Sequence, residues 1–254
     1  MHSTHRYFIK LAYNGAAYHG WQMQNNALTV QEVLEEGLNK IFHDNIALTG
    51  AGRTDTGVHA REFYAHFDHP QSFDKHDLTK KLYKLNSFLP QDIFIYDIFP
   101  VRGETHARFD AISRTYQYII TTRKDPFNNE FAWFVYYDLD IARMNEGAQI
   151  LLDYTDFTSF SKHHTQVKTN NCKLMEANWE KHDHLLIFTI KADRFLRNMV
   201  RAIVGTLVDL GRGRINADEL KKIIEAKDRT EAGLSVPAQG LFLTNVEYPE
   251  GYKA

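Results

Sequence analysis

The sequence predicts an α+β fold in two similar lobes, with mainly antiparallel sheet, helices packed on the sheets and a cleft between the lobes. Three observations predict it. Short segments alternate apolar and polar residues with the period of a strand, others repeat apolar residues with the period of a helix, and the two kinds mix without regular βα alternation. The halves also share an order of strand, helix and strand, which divides the chain into lobes at 1–104 and 105–254. No Pro-, Gly- or Ser-rich linker separates them, so their sheets are expected to pack closely.

The first strand runs from His5 to Tyr13, with Tyr7, Ile9, Leu11 and Tyr13 on one face and Phe8, Lys10 and Ala12 on the other. Thr29 and Glu32 form a capping pair, and Val30, Val33, Leu34, Leu38, Ile41 and Phe42 follow as a core-facing helical stripe. Short strands are predicted near Ile46 to Thr49 and Phe63 to Asp68, then a helix from Asp77 to Leu85 and a strand from Ile93 to Val101. The second half gives strands near Arg114 to Thr122 and Phe131 to Tyr136, a helix near Ile141 to Leu152 and a strand from Leu185 to Lys191. A long helix carries Phe195, Leu196, Met199, Val200, Ile203, Val204, Leu207 and Val208, and Gly211-Arg212-Gly213 stops it. Asn216 and Glu219 cap a short helix bearing Leu220, Ile223 and Ile224, and a strand from Gly240 to Tyr248 follows.

Composition narrows the function. The chain has 254 residues, 43% hydrophobic and 24% charged, the mix of an ordinary globular protein. No apolar run approaches the roughly 20 residues of a membrane span, and the first residues lack the apolar core of a secretory signal. No membrane association and a cytoplasmic location are therefore expected. Cys172 is the only cysteine, which rules out an internal disulfide and a thiolate zinc cluster. The net charge is -2, yet Lys191 to Arg229 holds ten basic against six acidic side chains, a local basic face on a near-neutral protein.

The most informative stretch is Gly50-Ala51-Gly52-Arg53-Thr54-Asp55-Thr56-Gly57-Val58-His59-Ala60. It sets a carboxylate and a guanidinium two residues apart in a glycine-punctuated loop between two strands, where Asp55 can be presented close to a ligand. An Asp in such a turn also commonly just bonds its own backbone, and spacing alone leaves both readings open. On the strand from Arg114, the side chains of Arg114, Tyr116, Tyr118 and Ile120 share a face. An aromatic ring beside a cation suits a flipped base and its phosphate, although Tyr-x-Tyr is more often core. Arg194, Arg197 and Arg201 are expected on one side of the long helix, able to meet a phosphate backbone or to send one guanidinium to Asp55.

Thirteen histidines invite a metal reading through His163-His164, His182-x-His184 and His66-x-x-His69, but no third ligand stands at a recognised spacing, so no metal is expected. His59 is read as shaping its loop. No phosphate-binding loop or dinucleotide fingerprint is present, so no cofactor is expected.

These motifs resemble the tRNA pseudouridine synthase A family along nearly the whole chain. The resemblance rests on Tyr13-Asn14-Gly15, Tyr18-His19-Gly20-Trp21-Gln22-x-Gln24, Thr29-Val30-Gln31, the Asp55 loop and His106-Ala107-Arg108-Phe109. It continues through Arg114-x-Tyr116, Phe195-Leu196-x-Asn198-Met199-Val200-Arg201, Ile203-Val204-Gly205, Lys227-Asp228-Arg229 and Pro237-Ala238-x-Gly240-Leu241. The chain departs from the family pattern at Thr56, Ala202 and Leu234-Ser235-Val236. The resemblance implies a central RNA-binding cleft, a homodimer, and conversion of uridine to pseudouridine at nucleotides 38–40 in the anticodon stem-loop of tRNA, without metal or cofactor.

It further implies that Asp55 is catalytic, attacking sugar or base or removing the ribose 2′ proton, while Tyr116 stacks on the uracil. Arg201 would pair with Asp55, Arg53 would hold the loop or an RNA phosphate, and Arg114, Arg194 and Arg197 would contact RNA. Two other classes compete. A non-catalytic RNA-binding protein would tolerate loss of Asp55, and a nucleoside hydrolase would need a second carboxylate that is not evident near it.

Overall fold

Strand β1 (His5–Tyr13) leads the computed structural model, which describes residues 4–162 and 169–254. The chain divides into two compact units, Met1–Ile112 with Leu243–Ala254, and Ser113–Phe242. Residues 105–112 and 243–254, assigned by the sequence reading to the C-terminal lobe, thus belong with the first unit.

In the first unit β1 is central. It pairs antiparallel with β3 (His59–His69) on one side and β4 (Ile93–Pro100) on the other, and β2 (Thr49–Gly50) adds to β3. The Tyr7 face of β1 packs under the helices, as its alternation predicts. Tyr7 stacks on Phe67 of β3, and Phe67 meets Phe42 of α1 (Val30–Phe42) edge-on. Thr29 caps α1 by accepting the Glu32 N–H, and Leu34 and Leu38 are fully buried from the stripe read in the sequence. Helix α2 (Lys75–Phe88) lies against β4; its N-cap is Asp74, which takes the Asp77 N–H and starts the helix two residues before the expected Asp77. The opposite face of β1 is buried too. Phe8 sits among Tyr64, Phe99 and the C-terminal Tyr248 and Tyr252, so the last residues of the chain cover the second face of this sheet.

In the second unit β8 (Leu185–Ala192) is central, paired antiparallel with β5 (Ser113–Thr121) and β7 (Leu174–His182), while β6 (Trp133–Phe134) runs parallel to β5. The sequence reading missed β7. A bulge between Leu174 and Glu176 shifts the register, so Leu174, Ala177 and Trp179 are buried without strict alternation. Helices α3 (Ile141–Leu151), α4 (Met199–Gly211) and α5 (Ala217–Ala226) pack together, α3 also against β7. Asn216 and Glu219 form a reciprocal capping box at α5. Strand β9 (Leu241–Glu247) begins in this unit and ends in the first.

Helix α4 corrects one expectation. It starts at Met199, because Asn198 adopts a left-handed backbone (φ 68°) at its N-cap, so Phe195 and Leu196 lie before the helix. Arg194 and Arg197 therefore do not form a helical row with Arg201. Among the described residues no helix is long and apolar enough to cross a membrane.

Candidate active site

The Asp55 loop, residues 51–58, joins β2 to β3, and backbone contacts hold it at both ends. Ala51 N–H donates to Tyr64 O at 2.7 Å, and Val58 N–H closes a turn onto Asp55 O at 3.1 Å with Gly57 at φ 76°. The segment after β1 backs the loop: Trp21 N–H donates to Thr54 O, Gly57 N–H to Tyr18 O, and the Tyr13 and Thr54 hydroxyls meet at 2.9 Å. His59 accepts the Gly15 N–H at Nδ1 and is buried, so it fastens the base of the loop. Close approach requires glycine twice here. A methyl group at Gly15 would overlap the Val58 carbonyl, and one at Gly20, itself at φ 88°, would overlap the Thr54 carbonyl. The product of this packing is a half-buried Asp55 beside an exposed Arg53.

Arg53 also lines a pocket of ≈ 170 Å³ with Trp21, Gln31, Gly50, Gly52 and Arg108. Two guanidiniums on a polar wall suit a phosphate oxygen, which planar donor forks bind bidentately. The sequence reading quoted Arg108 within a motif and gave it no role; only the fold puts it beside Arg53. A turn sets its place: His106 Nδ1 accepts the Arg108 N–H, His106 N–H donates to Asp110, and the Ala107 N–H donates to Nδ1 of buried His66.

Burial, then the charge of Arg6, lowers the His66 pKa to about 4. The unfolded chain binds this proton near pH 6.5, so between about 6.5 and 4 it holds more protons than the native protein and stability falls as pH falls. The contribution is up to ~1.4 kcal/mol per pH unit. Urea unfolding between pH 7 and 4.5 should show this slope, and His66→Gln should flatten it.

In the second unit, pairing of β5 with β8 brings Arg114 opposite Ala192 and Tyr116 opposite Ile190. Arg114 Nη1 donates to Asp193 O at 2.8 Å, and the Tyr116 ring meets Phe195 edge-on at 5.1 Å. Asp193 Oδ1 in turn accepts the Arg194 N–H. Arg114, Tyr116 and Arg194 thus gather at one end of β5, whereas exposed Arg197 lies in the turn before α4. Tyr118, two residues along, is fully buried and bonds Pro237 O, a core role; Tyr116 stays half-buried. Arg201 stands in the first turn of α4, where its Nε donates to Val236 O at 2.7 Å and its carbonyl accepts the Val236 N–H.

Two of the three histidine pairs lie among the described residues. His66 and His69 accept backbone N–H groups from Ala107 and Gln71, and His182 and His184 sit beside Glu180, Asp183 and Asp125. His163 and His164 lie outside the described residues. Among the described residues no three His, Cys, Asp or Glu side chains gather as a metal site. Burial pushes the Cys172 thiol up to about 12, so it stays protonated and unreactive near neutral pH.

A family model described as tRNA pseudouridine synthase matches residues 148–249. The chain is 54% identical to the tRNA pseudouridine synthase A of Parabacteroides distasonis, over 96% of either chain. It is 52% identical to that of Bacteroides fragilis over 98% of either chain, and 40% identical to that of Thermoanaerobacter pseudethanolicus over 94% of this chain and 98% of the relative.

Proposed function

Since the chain belongs to the tRNA pseudouridine synthase A family, and is therefore an isomerase that forms pseudouridine in tRNA, we propose that it acts in the anticodon stem-loop, at nucleotides 38–40. Asp55 carries the chemistry. The observation that supports this most is the loop itself: Tyr13, Gly15, Tyr18, Gly20 and Trp21 all press on 51–58, an outlay of packing that a mere connection between two strands does not need.

The reaction breaks the bond from ribose C1′ to uracil N1, turns the base and joins C1′ to C5; the C5 proton leaves and N1 regains one. Nothing is added or removed overall, so a carboxylate, a stacking surface and charge partners meet its needs. Tyr116 stacks on the uracil, Arg201 balances the charge of Asp55, Arg53 holds an RNA phosphate, and Arg114, Arg194 and Arg197 contact the RNA backbone. The enzyme works as a homodimer in the cytoplasm, where one anticodon arm spans two subunits.

The test is to treat an unmodified tRNA transcript with the protein and map pseudouridine by carbodiimide-dependent reverse-transcription stops. Stops at nucleotides 38–40 are expected; stops confined to another arm would refute the assignment of position.

A further inference from the structure

Leu234 is 87% exposed, yet the loop that carries it is held by hydrogen bonds on both sides. Gly233 N–H donates to the buried Thr206 hydroxyl at 2.9 Å, and Val236 exchanges two hydrogen bonds with Arg201. Arg229 spans the loop from the other side, donating to Ala232 O, Gly233 O and Ser235 Oγ, and the Asn198 amide donates to the same hydroxyl. The carbonyl of Leu234 itself rests on α4 so closely that a methyl group at Gly205 would overlap it. Single surface leucines are ordinary, and most need no explanation. This one differs because its loop is clamped to the first turns of α4, beside Arg201, with only the side chain left projecting.

An aliphatic side chain offers RNA neither charge nor a hydrogen bond. What it can do is fill the space left in a stack when a base departs, as apolar wedges do between base steps. A paired uridine must leave its helix before any chemistry at C1′ or C5, at a cost that is smaller when the base is already unpaired. A wedge is useful only if its backbone resists being pushed back, and the Leu234 loop meets that condition.

We propose that Leu234 is a positioning residue that enters the RNA stack in place of the target uridine and holds it open. This rests on the function proposed above and deepens it: the side chain matters for uridines in base pairs and much less for unpaired ones.

The test compares the full-length protein with Leu234→Ala on two anticodon-arm RNAs labelled with tritium at uridine C5. In one the target uridine is paired; in the other the opposing nucleotide is changed so that it is not. The loss of kcat/KM in Leu234→Ala is expected to be at least about tenfold greater on the paired arm than on the unpaired arm, and Leu234→Met should restore most of it. Equal losses on both arms, or no loss on either, would overturn the wedge. Failure of the unsubstituted protein to release tritium from either arm would instead remove the underlying function, and the wedge with it.

Discussion

Asp55→Asn is expected to lower pseudouridine formation by at least ~10³-fold while tRNA affinity changes by no more than about threefold. Asparagine keeps the size and shape of the side chain. Backbone atoms of Ala51, Thr54, Asp55, Gly57 and Val58, together with the Thr54 hydroxyl, make bonds that shape the loop, and the substitution leaves these atoms in place. What disappears is the negative charge and the nucleophilic or basic oxygen. Single-turnover rates and filter binding on the same tRNA separate the two effects. A large drop in affinity with an unchanged single-turnover rate would mean that Asp55 binds RNA and does not react.

Gly20→Ala should give the second largest effect, from a residue that has no side chain to react and acts only through the backbone of the Asp55 loop. Gly20 is at φ 88° and its α-carbon abuts the Thr54 carbonyl, one residue before Asp55. Alanine must distort its own backbone and displace Thr54 as well. A displacement of the carboxylate by about 1 Å costs on the order of 10²-fold in rate. The expected result is a fall in kcat of that size with a much smaller change in KM. Gly52→Ala is the stability control: an added methyl group there meets nothing within 4 Å, so its melting temperature should match that of the unsubstituted protein whereas Gly20→Ala melts lower. A normal kcat in Gly20→Ala would show that the loop accommodates displacement freely.

The elements that the sequence revealed are those whose instructions are local. Strand β1 and helix α1 were legible because Tyr7, Ile9 and Leu11, or Leu34 and Leu38, keep one period from end to end. Strand β7 was not, because its bulge resets the alternation and its Glu176, Glu180 and Lys181 read as a polar loop. The start of α4 was misplaced for a related reason: Phe195 and Leu196 continue the apolar rhythm, and only the left-handed backbone at Asn198 reveals where the helix begins.

The same distinction holds at the site. Asp55 and Arg53 stand out because eleven consecutive residues encode their loop. The supports from Gly15 and Gly20 were visible as motif residues, but their task as contact surfaces for Val58 and Thr54 is a matter of tertiary packing. Arg108 joins Arg53 at one pocket across 55 residues of sequence, by way of the His66 hydrogen bond to Ala107, and no periodicity encodes such a meeting.

Pseudouridine formation by Asp55 is tested most directly by following tritium from tRNA labelled at uridine C5, together with any free uracil, for the protein and for Asp55→Asn. The expected result is tritium in solvent in step with new pseudouridine, no free uracil, and neither product from Asp55→Asn. Free uracil, or tritium release that survives the substitution, would rule out isomerisation by Asp55.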